Sequence, residues 1–311
     1  MTAAGSPGSA AFRAGKAVRD VMAGALGSAA AAWRPAEDAF AAAGRRLHGR
    51  WHAYDALHRV VMEVLARRRA GPVFRRMRLG PVTVWGDVAH FSFGTAYYQR
   101  RGYERETVEL MARVVRPGGT VVDVGANHGF FTVLLALLVG EGGRVEALEP
   151  NPVVAAALDE VLGRNGVAER VSVHPLALCD RADGTAEFFV AVSEVNDGLS
   201  SLLVSPAALE HGVISRDHSI QVRTDTFDAF AGRLGLGRVD LVKIDVEGAE
   251  AMVVRGMAGT LAVAPPRRIV CETVPDGEAM RLLLAAGYTA RALDVTDTGI
   301  GNYLFTARDA G

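Results

Sequence analysis

Apolar residues along this 311-residue chain fall into two kinds of run, and the change between them divides the molecule. Ahead of residue 100 the signal is helical. Trp51, Tyr54, Leu57, Val61 and Leu65 recur at helix spacing within WHAYDALHRVVMEVLARRR. Three arginines close the C-terminal end, where they complement the helix dipole. This predicts an amphipathic helix over 51–69, packed on the main domain or on a second subunit, so a homodimer through it is an expectation. VTVWGDVAHFSF then reads as a hairpin turning near Gly86-Asp87. Residues 1–35, rich in Ala, Gly and Ser with scattered arginines, read as a flexible basic arm. The organisation expected is this arm, a helical extension with a hairpin over 36–95, and one main domain over 96–311.

From Tyr103 onward helix-period and strand-period runs alternate. A helix over Glu104–Val115 ends at Pro117-Gly118-Gly119. The strand TVVDVG follows, then a helix from about His128. RVEALEP, a helix after Pro152 and the short strand VSVHP come next. Strands near EFFVAV and SIQVRT flank a polar insertion. VDLVKID leads into a helix over Ala249–Leu261, and RRIVCET into a helix over Glu278–Ala286. GYTARAL and IGNYLFTA close the chain as strands. Such alternation predicts an α/β, Rossmann-like fold, a mostly parallel sheet with helices on both faces. Ligands of such sheets bind beyond the strand C-terminal ends, where the strand order reverses.

Composition sharpens this only in places. Half the residues are hydrophobic and 22% are charged, ordinary for a globular protein. The net charge of -1 hides a split: residues 1–80 carry 14 Lys+Arg against 5 Asp+Glu, the remainder 20 against 30. An acidic body with a basic arm argues against nucleic acid as the main partner, while the arm suits an acidic partner or a membrane surface. Cys179 and Cys271 show no metal spacing and fit buried thiols in a reducing compartment, so a cytoplasmic location is expected. No apolar run reaches the ~18–20 residues of a membrane span. VMAGALGSAAAAW imitates a signal peptide only loosely, with Asp20 at its edge.

The chemistry sits at strand ends. VVDVGANHGFFT joins a strand to a helix through Gly125 and Gly129, which let the backbone turn sharply and approach a ligand. The pattern D-x-G-x-x-x-G departs from the G-x-G-x-x-G of dinucleotide sites, which argues against a nicotinamide oxidoreductase. Asp123 suits a ligand ammonium, and Glu149 in ALEPNP ends the next strand, where a carboxylate accepts both hydroxyls of a ribose. Two acids on neighbouring strand ends describe a nucleoside with an amino-acid tail, which is S-adenosylmethionine. Ala177 and Leu178, after the third strand, are expected to wall the adenine, with Asp180 near the base edge. His174 reads as a strand-end histidine.

Only two of the chain's 34 Lys+Arg are lysines, Lys16 and Lys243. In VDLVKIDVEGAE, strand alternation puts Lys243 and Asp245 on one face. Asp245, Glu247 and Glu250 crowd the strand–helix junction, where a carboxylate can also be a plain helix cap. Asp245 is the first candidate base, with Glu272 and His128 behind it, and Lys243 either holds these carboxylates or stabilises a developing alkoxide. A structural ion pair is the alternative for Lys243. Oxygen ligands suit Mg²⁺, yet Asp245, Glu247 and Glu272 do not establish a coordination sphere in sequence, and no metal is expected. His211 and His218 match no metal motif.

VDVGANHG, the EP at Glu149-Pro150 and KIDVEGAE together resemble the FkbM family of S-adenosylmethionine-dependent O-methyltransferases. The upstream YE at Tyr103-Glu104, NDGLSS at Asn196–Ser201 and IVCE at Ile269–Glu272 extend the likeness over roughly residues 95–306. The resemblance implies a seven-stranded class I methyltransferase sheet with an antiparallel last strand. It implies a cofactor site lined by Asp123, Gly125, Asn127 and Glu149; Glu104, His128, Gly129, Pro150 and Asp245 are further candidates for that site, and Asp245, Lys243, Glu247 and Glu272 are the candidates for catalysis. It also implies a small-molecule hydroxyl acceptor, a secondary metabolite or its sugar. A saccharide chain or glycolipid acceptor, and a non-catalytic nucleoside-binding scaffold, are the alternatives. Thr273 stands where the family is expected to carry His.

Overall fold

The computed structural model describes residues 72–98, 102–191, 200–204, 214–297 and 299–308. The arm, the 51–69 helix, His211 and residues 196–199 of NDGLSS lie outside them. The chain divides into two compact units, one drawn from residues 78–85 and 104–311 and the other from residues 1–77 and 86–103.

Strands β1 (Phe74–Leu79) and β2 (Val82–Asp87) form a two-stranded hairpin. Its turn is at Gly80-Pro81, not at Gly86-Asp87 as the pattern suggested. Gly80 takes the left-handed φ of +55° that the turn needs. Gly86 is a glycine for another reason: a Cβ there would meet the Phe93 ring at 2.1 Å. Asp87 ends β2, accepting from the Val73 and Ala89 amides at 2.8 and 3.1 Å. The FSF read as a strand instead opens a helix, α1 (Phe91–Tyr98).

In the larger unit, α2 (Arg105–Val114) precedes β3 (Thr120–Val124), α3 (Phe130–Val139), β4 (Arg144–Leu148), α4 (Pro152–Asn165) and β5 (Val171–His174). β6 (Ala177–Leu178), β7 (Gly184–Ala191) and β8 (Ile214–Asp225) make a separate three-stranded sheet. Then come α5 (Phe227–Arg233), β9 (Leu241–Ile244), α6 (Glu250–Arg255), α7 (Ala258–Val263), β10 (Arg268–Thr273), α8 (Glu278–Ala285), β11 (Tyr288–Val295) and β12 (Gly301–Ala307).

The main sheet has seven strands in the order β11-β12-β10-β9-β3-β4-β5. β12 alone runs antiparallel to its neighbours β10 and β11, as expected. β3, β4 and β9 are short apolar runs because helices cover both faces, and α3, apolar nearly all round, is buried against them. From β3 the chain steps outward through β4 and β5, then returns to the other side of β3 with β9. The order therefore reverses between β3 and β9.

The single helix expected over 249–261 is two. At the break, a Cβ on Gly256 would meet the Cys179 carbonyl oxygen at 2.0 Å, and the Gly256 carbonyl accepts from the Asp228 amide at 3.0 Å. The Asp228 carboxylate then accepts from the Gly259 and Thr260 amides at 2.7 Å each, capping α7 from outside. Gly256→Ala is expected to destabilise the fold by roughly 1–3 kcal/mol or more through overpacking. Gly163→Ala, in open space within α4, is expected to stabilise it by about 0.5–1 kcal/mol. Urea unfolding of the two variants should move in opposite directions.

Candidate active site

Four strand ends build the site. Asp123 is wholly buried, and its Oδ2 accepts from Thr132 Oγ1 at 2.6 Å. Its Oδ1 is buried with no hydrogen-bond partner among the described residues. Burial pushes its carboxyl above the usual range, against the pull of Lys243. Gly125, at φ +84°, passes so close to β9 that a Cβ would meet the Asp245 carbonyl oxygen at 1.8 Å. The β3 turn and the β9 end therefore meet at the point of strand reversal. Gly129 begins α3, where a Cβ would strike Leu158 at 2.3 Å.

On the other side, Glu149 follows β4. Its Oε2 accepts from the Asn127 amide at 3.0 Å and its Oε1 from the Asn151 amide at 2.9 Å, so two backbone donors fix its orientation. Asn127 sits in the left-handed region that Asn tolerates, and its Oδ1 accepts from the His128 amide at 2.7 Å. His128 is buried beside this turn, and Pro150 borders Glu149 at the surface edge.

Lys243 and Asp245 do share a face. Lys243 Nζ donates to Asp245 Oδ2 at 2.7 Å and lies 4.6 Å from the Phe131 ring centroid. In register, Asp123 is Lys243's neighbour on β3. The ammonium is 1% exposed. Burial works against its charge, but Asp245, Asp123 and Glu104 outweigh burial and hold its pKa above the ordinary value. Glu250, not Glu247 or Asp245, ties the junction together: its Oε1 accepts from the Val246 and Gly248 amides at 3.1 and 3.0 Å, both ahead of α6.

That leaves Glu247 and Glu272 beside Asp245. Single carboxylate oxygens of the three lie within 4.8 Å of one another. Burial first, then the Asp245 charge, pushes Glu247 up to about 9. The same causes push Glu272 up to about 8. Glu104, the residue before α2, accepts from Asn302 Nδ2 at 2.7 Å.

Other expected residues are engaged elsewhere. Leu178 packs in the main core and Ala177 in the core of the small sheet. Asp180 pairs with Arg255 at 3.0 Å. His174 Nε2 bonds Glu146 Oε2 at 2.8 Å and meets the Phe230 ring edge-on. Of NDGLSS, Ser201 is buried and its Oγ donates to the Val246 carbonyl at 3.4 Å, which brings this segment against the Asp245–Glu247 turn. Asn302 and Phe131 escaped the sequence reading. A lone Asn inside the apolar strand GNYLF was the available signal for the first.

This strand order, with acids at the ends of its two central neighbours, is that of a class I methyltransferase. Residues 123–290 match the Methyltransferase FkbM domain, more than half of the chain, and the chain belongs to that family. It is 32% identical over 235 residues to the 31-O-demethyl-FK506 methyltransferase FkbM of Streptomyces tacrolimicus, covering 66% of this chain and 86% of that protein. It is 26% identical over 158 residues to the 2-O-methyltransferase NoeI of Sinorhizobium fredii, covering 49% of this chain and 63% of that one. Among solved structures, an O-methyltransferase from Bacillus cereus in complex with SAH superposes with a TM-score of 0.40 at 14% identity, covering 86% of this chain and 98% of that one.

Removing the Lys243 charge strands buried carboxylates. Lys243→Met is expected to cost about 3–5 kcal/mol. Lys243→Arg should not restore it, because the planar fork does not fit a space made for a compact ammonium. Thermal and urea unfolding of both variants check this.

Proposed function

We propose that this chain transfers a methyl group from S-adenosylmethionine to a hydroxyl oxygen of a small molecule, a secondary metabolite or its sugar. The observation that carries this reading is the unpartnered, fully buried Asp123 Oδ1 beside the Gly125 turn. A buried acceptor without a donor suits a ligand ammonium. Glu149, clamped by two backbone amides, suits a ribose diol. The residues therefore fit an amino-acid-tailed nucleoside. Asp123, Asn127 and Glu149 would hold it, with Gly125 and Gly129 shaping the backbone around it. The names of both relatives designate an oxygen position, which supports oxygen as the acceptor atom.

When bound, that cofactor supplies a methyl on a sulfonium sulfur, whose carbon–sulfur bond breaks as the carbon–oxygen bond forms. The protein's tasks are alignment and removal of the hydroxyl proton. Alignment alone supplies ~7–11 kcal/mol in favourable systems. Asp245, at the strand reversal, takes the proton, and Lys243 fixes its carboxylate through Oδ2. Ser201, on the Val246 side of the same turn, borders the acceptor. No helix among the described residues is long and apolar enough to cross a membrane.

Calorimetric titration of S-adenosylmethionine tests the reading. Glu149→Ala is expected to weaken binding roughly 10- to 100-fold, the loss of charge-assisted hydrogen bonds. Asp245→Asn should leave binding within a few-fold of the wild type. On any acceptor found by the mass gain of one methyl, it should lower turnover by about 10²–10⁴. Wild-type protein that takes up no S-adenosylmethionine would sink the proposal.

A further inference from the structure

We propose that Asp245, Glu247 and Glu272, with the side-chain oxygen of Asn302, form a binding site for one hard divalent cation of the Mg²⁺ or Mn²⁺ kind. The three carboxylates come from the ends of two adjacent parallel strands, β9 and β10. Their oxygens already lie within 4.8 Å of one another. Around Mg²⁺, with metal–oxygen bonds of about 2.1 Å, opposite ligands stand about 4.2 Å apart and adjacent ones about 3.0 Å. The trio closes onto such an ion by small side-chain adjustments. All donors are oxygen, with no His or Cys among them, which selects a hard cation over zinc.

The charges here are otherwise poorly compensated. Neither the Glu247 nor the Glu272 side chain accepts a hydrogen bond from any described residue. Lys243, the one buried cation among them, is bonded to Asp245. Glu250 already has its two amide donors. Half-buried carboxylates without hydrogen-bond donors, offset only in part by the Lys243 charge, are costly, and a bound cation relieves them.

Asn302 points to the same ligand independently. It is 2% exposed, and its Oδ1 has no hydrogen-bond partner among the described residues. It stands directly opposite Glu272 in the antiparallel β10–β12 register, so the two side chains project on one face. Its Nδ2 is spent on Glu104, whose charge is felt at Glu272. The carboxamide thus lies between these two acids, with its oxygen left over as a neutral ligand. Sequence reading expected no metal because three carboxylates in sequence do not establish a coordination sphere; the β9–β10 pairing gathers them and the β10–β12 pairing adds Asn302.

The role this gives the cation, polarising the acceptor hydroxyl beside Asp245, rests on the methyl-transfer reading above; the binding itself does not. Protein stripped with EDTA and dialysed is titrated with MnCl₂, followed by calorimetry and by the loss of free-Mn²⁺ electron paramagnetic resonance. One Mn²⁺ per chain is expected, displaceable by Mg²⁺, with a rise in Tm on loading. Glu247→Gln and Glu272→Gln keep shape and remove repulsion, so they should fold. Each is expected to weaken Mn²⁺ by at least about tenfold, and Asn302→Leu to weaken it as well. Glu278→Gln, which removes an exposed carboxylate elsewhere, should leave it unchanged. No saturable uptake by the wild type, or uptake equal in the Glu247→Gln/Glu272→Gln double variant, overturns the site. S-adenosylmethionine titrated into the same stripped protein reports separately on the cofactor reading.

Discussion

Everything at this site leans on the Lys243 ammonium. β9 is covered on both faces, so a charge on it must find its compensation inside the sheet. It finds Asp245 two residues on and Asp123 across the strand pair, with Phe131 against it. The same contacts place Asp123 and Asp245 at the strand reversal, where a ligand would lie. A compact, four-carbon ammonium fits this slot; the flat arginine fork does not. Of 34 basic residues, 34 − 2 = 32 are arginine, so a lysine here runs against the composition of the whole chain.

The central parallel strands were legible because burial on both faces writes them as near-continuous apolar runs, broken only by single charged residues. What was not legible depended on distant partners. The pattern of Ala249 to Leu261 is helical throughout. Only the approach of Cys179 to Gly256, and the cap from Asp228, split it. Gly86-Asp87 has turn composition, yet Gly86 is small because Phe93 lies on it. Helix α5 is seven residues long, too short for periodicity, although Thr226 accepting from Ala229 is an ordinary N-cap signal.

The site divides in the same way. Asp123, Glu149 and Asp245 are strand-end residues, so a strand pattern alone located them. Ala177 and Leu178 were placed by their order after the third strand, and their side chains went to the two cores instead. Glu104, Glu272 and Asn302 are far apart in sequence and meet through one antiparallel register. That relation has no local signature. The part of the site proposed to hold a nucleoside was therefore readable from motifs, and the part proposed to face the acceptor needed the fold.

Backbone conformation separates these two parts from the scaffold. Among the described residues, four non-glycines have positive φ: Glu104, Asn127, Asp183 and Glu247. Asn127 holds the turn beside Glu149, Glu247 belongs to the acidic cluster, and Glu104 is bonded to Asn302. Glutamate gains no local hydrogen bond that excuses this conformation, and each instance costs on the order of 1–3 kcal/mol. Strain of this kind persists only where surrounding contacts over-determine it. Here Glu104 is tied to Asn302, and Glu247 is pinned between Asp245 and the Gly248 amide held by Glu250. Glu247, whose carboxylate lies with those of Asp245 and Glu272, carries its strain at the centre of the proposed cation site.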